Sequence, residues 1–186
     1  ITWQRSSSKS SWEAYPTAQN EILRLTQSQV GYSYRAVVSY VDTHGTREVL
    51  YTSPSETIDN LDDPVQGEVS IVGEPKEGVT LRALSDSLSD EDGIASISIS
   101  WETSKDGRNW IGLNSLSGPV LQLNQSLVGS QVRARVAVVD NFGIETNLYS
   151  QATRTVENVN NKPSGRIVIR RVGQWFLFLW SLIYEA

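Results

Sequence analysis

The chain has 186 residues, with 16 Lys+Arg against 21 Asp+Glu, a formal charge of −5 and a pI of about 4.9, so nucleic acid is a poor default partner. It has no Cys, no Met and a single His, which excludes disulfides, thiol nucleophiles, iron–sulfur sites, Cys-type zinc sites and His-rich metal sites. At 39% hydrophobic and 20% charged residues it is globular rather than disordered, long enough for one domain or two small ones, and, starting at Ile1 without a signal peptide, it reads as a piece of a longer or processed polypeptide.

Residues 1–60 are repeated 98 positions further on. Trp3 pairs with Trp101, Trp12 with Trp110, Leu23 with Leu121 and Leu25 with Leu123. Gln27-Ser28, Val30-Gly31, Arg35-Ala36, Val41-Asp42, Gly45, Leu50-Tyr51, Asn60 and Gly67 likewise meet their own kind. Laying 1–73 over 99–171 without a gap gives 22 identities in 73 positions, a register that chance does not hold over such a length. The strongest signal in the sequence is therefore internal repetition. Residues 64–158 make one whole unit, and 1–60 match only its back two-thirds, lacking the first two strands.

Within 64–158 the expected strands come in chain order. Glu68–Val72 is the first and Val79–Leu84 the second, with Val79, Leu81 and Ala83 on one face. Ile97, Ile99 and Trp101 alternate with Ser98 and Ser100, giving one buried and one wet face. Lys105-Asp-Gly-Arg108 is a turn, the Asp-Gly step supplying a positive φ, and Asn109–Leu113 follows as a short strand. Val120 with Leu121 and Leu123, then Gln131–Val139 with Val132, Ala134, Val136 and Val138 on one face, give two more. After the Asn141-Phe-Gly143 turn, Thr146–Val156 is the last. About seven short strands and no credible helix imply a β-sandwich, with a small barrel as the alternative. The predicted core is Trp3, Ile99, Trp101 and Val136. After it, 162–186 repeat the front of the unit: Gly165-Arg-Ile-Val-Ile169 matches Gly67-Glu-Val-Ser-Ile71, and after a short deletion Gly173–Leu179 loosely matches Gly78–Leu84.

The run Leu88-Ser-Asp90-Glu-Asp92-Gly93 … Trp101 … Ser104-Lys-Asp-Gly-Arg-Asn-Trp110 … Val128-Gly129 … Asp140-Asn-Phe-Gly143 resembles the tandem Ig-like or cadherin-like repeats of large bacterial surface and secreted proteins. The junction Val156-Glu-Asn158-Val-Asn160-Asn161-Lys-Pro163-Ser-Gly165 is similar to the joint between such repeats, although Asn158, Asn160 and Asn161 lack the acidic charge usual there. The antibody-type Cys pair is absent. The resemblance covers about 1–171. It implies an all-β fold of tandem Ig-like sandwiches, one complete and two partial, an extracellular stalk or adhesin at a bacterial cell surface, and no active site.

Candidate sites are few. His44 lies in the turn Asp42-Thr-His44-Gly45 and has Phe142 as its repeat counterpart; no Gly-x-Ser-x-Gly elbow accompanies the serines of 6–11. No catalytic residue is expected and the chain is read as a non-enzyme. Asp62, Asp63, Asp90 and Asp92 are read as a solvated acidic loop or as calcium ligands, since calcium takes several oxygen ligands from flexible loops, and no other cofactor is implied. Trp12 and Trp110 are read as packing residues, with an aromatic platform for cell-surface glycans, and hence a carbohydrate-binding module of a secreted protein, as the alternative.

The run from Trp175 to Trp180 is apolar on both strand faces but far shorter than the roughly 20 residues of a membrane-spanning helix. It reads as a strand buried on both faces or as a diverged end. Ile167, Ile169, Trp175, Phe176, Phe178 and Trp180 are the residues expected to mediate assembly. The expected partner is the chain itself, head to tail with the tail filling the next copy's incomplete first unit, or else neighbouring repeats of the same polypeptide.

Overall fold

Alternation at period two, with side chains pointing in turn to either side of a pleated strand, governs the folded chain. The computed structural model describes residues 1–16, 21–163, 165, 170–172 and 175–177. It forms two compact units, 1–64 together with 90–92, and 65–89 together with 93 onward. Among the described residues the regular structure is antiparallel strand except for two 3-10 turns.

The first unit holds β1 (Thr2–Ser6), β2 (Glu13–Tyr15), a 3-10 turn at Gln27–Gln29, β3 (Ser33–Val41) and β4 (Arg47–Tyr51). These strands make one four-stranded sheet in the order β2-β1-β3-β4. Trp3 stands opposite Ala36 and Arg5 opposite Tyr34. Tyr34 and Ala36 are buried and Trp3 is half-buried, while Tyr40 on β3 and every residue of β4 are exposed.

The second unit holds β5 (Ser70–Val72), β6 (Thr80–Leu84), β7 (Ile94–Ser104), β8 (Ile111–Ser117), β9 (Val120–Gln122), a 3-10 turn at Gln125–Leu127, β10 (Gln131–Asp140) and β11 (Glu145–Tyr149). They form a four-stranded sheet, β11-β10-β7-β8, and a three-stranded sheet, β5-β6-β9. Along β10 every second residue is buried, namely Val132, Ala134, Val136 and Val138. With Leu81 and Ala83 of β6, Leu121 of β9, Leu123 and Trp101 of β7, they form one apolar core drawn from both sheets. Each Val or Leu among them contributes roughly 1.5–3 kcal/mol on burial. Trp101 is fully buried, and its Nε1–H donates to the Gly118 carbonyl at 3.0 Å, so the one polar group of the ring is satisfied. Ile99 packs on the core half-buried. Ile97, two residues nearer the start of the strand, is exposed, although Val138 opposite it is buried.

Gly118 carries the chain from β8 in one sheet to β9 in the other. It adopts φ +98°, a left-handed value that glycine accepts without strain, and its N–H donates to Ile99 O at 2.9 Å. At the Lys105–Arg108 turn Gly107 adopts φ +69°. Asp106 Oδ1 accepts the backbone N–H groups of Asn109 (2.8 Å) and Arg108 (2.9 Å). Those bonds, helped by the Asn109 side chain and the Ser104 hydroxyl, hold the Asp106 carboxyl well below the usual carboxylate range.

Strand β11 ends earlier than the apolar pattern suggests. Past Tyr149 the chain stays hydrogen-bonded to β10 and the residues before it, but only once in three residues: Ser150 N–H to Ala134 O, Thr153 N–H to Val132 O and Val156 N–H to Ser130 O. A ladder needs a bond at every second residue, so 150–156 is an extended segment with a three-residue beat and not a strand. The same beat occurs at Thr52, Ser55 and Ile58, which donate to Ala36, Tyr34 and Tyr32.

Contacts in the first unit recur 98 residues later. Trp3 opposite Ala36 becomes Trp101 opposite Ala134. Val37 opposite Tyr51 becomes Arg135 opposite Tyr149. The bonds Gly31 N–H to Ile58 O (2.9 Å) and Asp42 N–H to Thr46 O (2.9 Å) become Gly129 N–H to Val156 O (3.0 Å) and Asp140 N–H to Ile144 O (3.0 Å). Beyond residue 163, β12 (Arg170–Val172) and β13 (Trp175–Leu177) pair as an antiparallel hairpin with Arg170 opposite Leu177.

Candidate cation-binding loop and aromatic face

The acids singled out in the sequence all lie in the first unit, whose extended segment ending at Pro64 is joined by the loop 90–92. Asp92 is buried there. Its Oδ2 accepts the Asp63 N–H at 2.9 Å, and its own N–H donates to Asp90 Oδ1 at 2.8 Å. Its Oδ1 is buried without a hydrogen-bond partner. Carboxylate oxygens of Asp62 and Asp92 lie within 4.8 Å of one another, a separation at which two full charges repel by about 3 kcal/mol in a medium of effective dielectric 20. Leaving a buried carboxylate oxygen unsatisfied adds a further cost. Both costs would be relieved by a hard cation with oxygen ligands. Asp62 and Asp92 are the pair that would hold it, while Asp63 contributes its backbone N–H and Asp90 orients the loop.

In the second unit Asp140 is also buried. Its Oδ1 accepts the N–H groups of Phe142 and Ile144, both at 2.8 Å, and shapes the turn after β10, while its Oδ2 has no hydrogen-bond partner. The turn leans on the strand start at Gly93, whose carbonyl accepts the Asn141 N–H at 3.3 Å. Asp42 plays the same part in the first unit, its Oδ1 accepting from His44 and Thr46 at 2.8 Å. His44 is exposed, and its ring Nδ1 lies 3.5 Å from the Thr43 hydroxyl.

Trp12 and Trp110 are half-buried, and each takes part in a stack that the sequence reading missed. The Arg133 guanidinium lies 4.3 Å from the ring centres of both Trp110 and Tyr149 and is fixed by Glu102 at 2.6 Å. Ninety-eight residues earlier, Arg35 lies 4.4 Å from Trp12 and 4.5 Å from Tyr51, and its Nε donates to Gln4 at 2.8 Å. Each cation–ring contact is worth roughly 0.5–1 kcal/mol at a surface. An arginine thus covers one face of each Trp. The signal was present: all three members of the stack, Trp, Arg and Tyr, keep their identity across the 98-residue offset.

Of the core residues named from sequence, Trp101 and Val136 are fully buried, Ile99 is half-buried against them and Trp3 is half-buried. Of the assembly residues, Trp175 and Phe176 fall on β13, and Ile167, Ile169, Phe178 and Trp180 lie outside the described residues. No helix among the described residues is long and apolar enough to cross a membrane. No known family model matches the chain, and no curated protein matches it.

Proposed function

We propose that the chain is a structural or adhesive module of an extracellular bacterial surface protein, built from tandem Ig-like β-sandwiches on a 98-residue repeat. The complete sandwich is 64–158; 1–60 and 162–186 are partial ones. Length in such a protein comes from copy number, each sandwich acting as a rigid bead in a stalk. The observation that carries this reading is the recurrence of strand register and loop hydrogen bonds at the offset of the sequence identities, Trp3 opposite Ala36 and Trp101 opposite Ala134 foremost. Identity alone marks common descent, whereas identical pairing marks a unit that folds the same way each time. The two arginine–aromatic stacks support packing over glycan binding for Trp12 and Trp110. Calcium at Asp62 and Asp92 belongs to the same reading, tying the segment before Pro64 to the loop 90–92.

The stalk reading is tested by joining one, two and four copies of 64–161 in frame and measuring small-angle scattering. The maximum dimension is expected to rise linearly with copy number. A dimension that grows only as a compact particle's would refute the stalk, and retention on a glycan array lost by Trp110→Ala would favour the carbohydrate-binding module instead.

A further inference from the structure

The first unit has a sheet whose apolar face is covered at Tyr34 and Ala36, which are buried, and open further along β3 and β4. In the second unit that face is covered by β5-β6-β9, and Leu123 and Val138 are 0% and 1% exposed. Their counterparts 98 residues earlier, Leu25 and Tyr40, are 53% and 48% exposed, and Leu50 on the same face is exposed as well. Among the described residues the first unit has no three-stranded sheet. Its counterpart of β9, residues 22–24, is not a strand. That follows from the pairing, since β9 hydrogen-bonds within its sheet only to β6.

The hairpin β12–β13 has the missing character. Gly165–Ile169 matches Gly67–Ile71 at offset 98, and Gly173–Leu179 matches Gly78–Leu84 at offset 95. The two offsets come from separate stretches of sequence, the second a loose match held by Gly173 and Leu179, and together they give an expected register. Val72 stands opposite Arg82 in β5–β6, so Arg170 (72 + 98) should stand opposite Leu177 (82 + 95), and it does. The other two pairs of the hairpin, Arg171 opposite Phe176 and Val172 opposite Trp175, fall at the positions of Gly73/Leu81 and Glu74/Thr80, beyond the β5–β6 ladder, so the shorter connection lets the hairpin pair closer to its turn. Charge is complementary too: residues 1–64 sum to 5 − 8 = −3 and residues 162–186 to 4 − 1 = +3.

We propose that the hairpin β12–β13 of one copy docks on the open sheet face of the first unit of a second copy, supplying the strand pair that β5–β6 supply in the second unit, with residues 22–24 pairing onto it as a third strand. The proposal rests on the repeat reading above and adds its partner, a second molecule of the same chain. Added strands gain affinity from main-chain bonds and specificity from alternate side chains. The contact is head to tail and need not close on itself; where it does not, it propagates into filaments.

The register names the residue pair to test. Val120 opposite Arg82 corresponds to Ile22 opposite Leu177. The chain has no Cys, so introduced thiols report without background. Full-length Ile22→Cys is mixed with isotope-labelled full-length Leu177→Cys and oxidised, with Ser8→Cys replacing Ile22→Cys as the control. The unmodified chain is sedimented over a range of concentrations in parallel. The expected results are loss of free thiol into a disulfide joining a labelled and an unlabelled chain, absent with Ser8→Cys, and assemblies that lengthen with concentration. Arg82→Cys/Val120→Cys in one chain tests the repeat frame separately and should close internally. If it closes while Ile22→Cys and Leu177→Cys stay reduced and the unmodified chain sediments as a monomer, donation is refuted and the repeat stands. If an Ile22→Cys/Leu177→Cys double variant closes only within single chains, the tail serves its own molecule and donation between copies is equally refuted. If Arg82→Cys/Val120→Cys does not close, the frame itself falls and the docking register with it.

Discussion

Replacing Trp101 by alanine removes the largest fully buried side chain among the described residues. Two losses follow from the structure. The indole leaves a cavity walled by neighbours on both sheets, for which a buried aromatic-to-alanine change costs about 3–5 kcal/mol. The Gly118 carbonyl loses the Nε1–H donor at 3.0 Å, and a satisfied bond of that kind is worth about 1 kcal/mol; this loss is already part of the measured range for such substitutions. For a domain of 60–100 residues each kcal/mol shifts the melting temperature by roughly 4–8 °C, so the unit should melt roughly 12–40 °C lower. Scanning calorimetry of Trp101→Ala against the parent measures this directly, and Trp101→Phe, which keeps most of the ring and loses the donor, should fall between them. A shift of only a degree or two in Trp101→Ala would mean that the two sheets do not close over this residue, and the account of the core would be wrong.

Two other outcomes follow from the loops. Calcium titrated into the chain should release or absorb measurable heat and raise the melting temperature of the first unit, by about 2.7 kcal/mol of stability at a concentration 100 times the dissociation constant. Asp92→Asn should abolish the heat, and an unchanged titration in that variant would remove the site. Asp106 has a folded-state pKa depressed below its unfolded value, so its stabilising contribution is complete above about pH 4, near the unfolded carboxylate pKa, and is lost as pH falls through the lower folded value. The stability difference between the parent and Asp106→Asn should therefore shrink on acidification below pH 4 and stay constant from pH 5 to 8; urea titrations showing a gap that widens in acid would contradict the turn geometry.

How much of this was legible in the sequence depended on how local the governing physics is. The alternation at Val132, Ala134, Val136 and Val138 announced one buried face because a strand's geometry has period two whatever surrounds it. The Asp106-Gly107 turn was equally local. Burial of one acid in a run was not: Asp90, Glu91 and Asp92 are equivalent as composition, and only the fold turns Asp92 inward to meet the Asp63 N–H. Nor did the pattern give the end of β11, because a segment bonded once in three residues carries the same apolar composition as one bonded once in two. The exposure of Leu25 and Tyr40 was beyond reach for the same reason that Leu123 and Val138 are covered: what covers them is not adjacent in sequence.

Gly118 has a consequence for how the second unit comes apart. Its N–H is tied to Ile99 O and its carbonyl to the Trp101 indole, so both backbone groups of the residue where the chain changes sheets are anchored to β7. The corner is thereby fixed to β7 beside the indole that lies at the centre of the core, so movement of β9 away from β7 exposes that indole. Unfolding is thereby made all-or-none: separation of the sheets and loss of the indole's packing are a single event, and probes placed on β6 and on β11 should report one transition at one temperature.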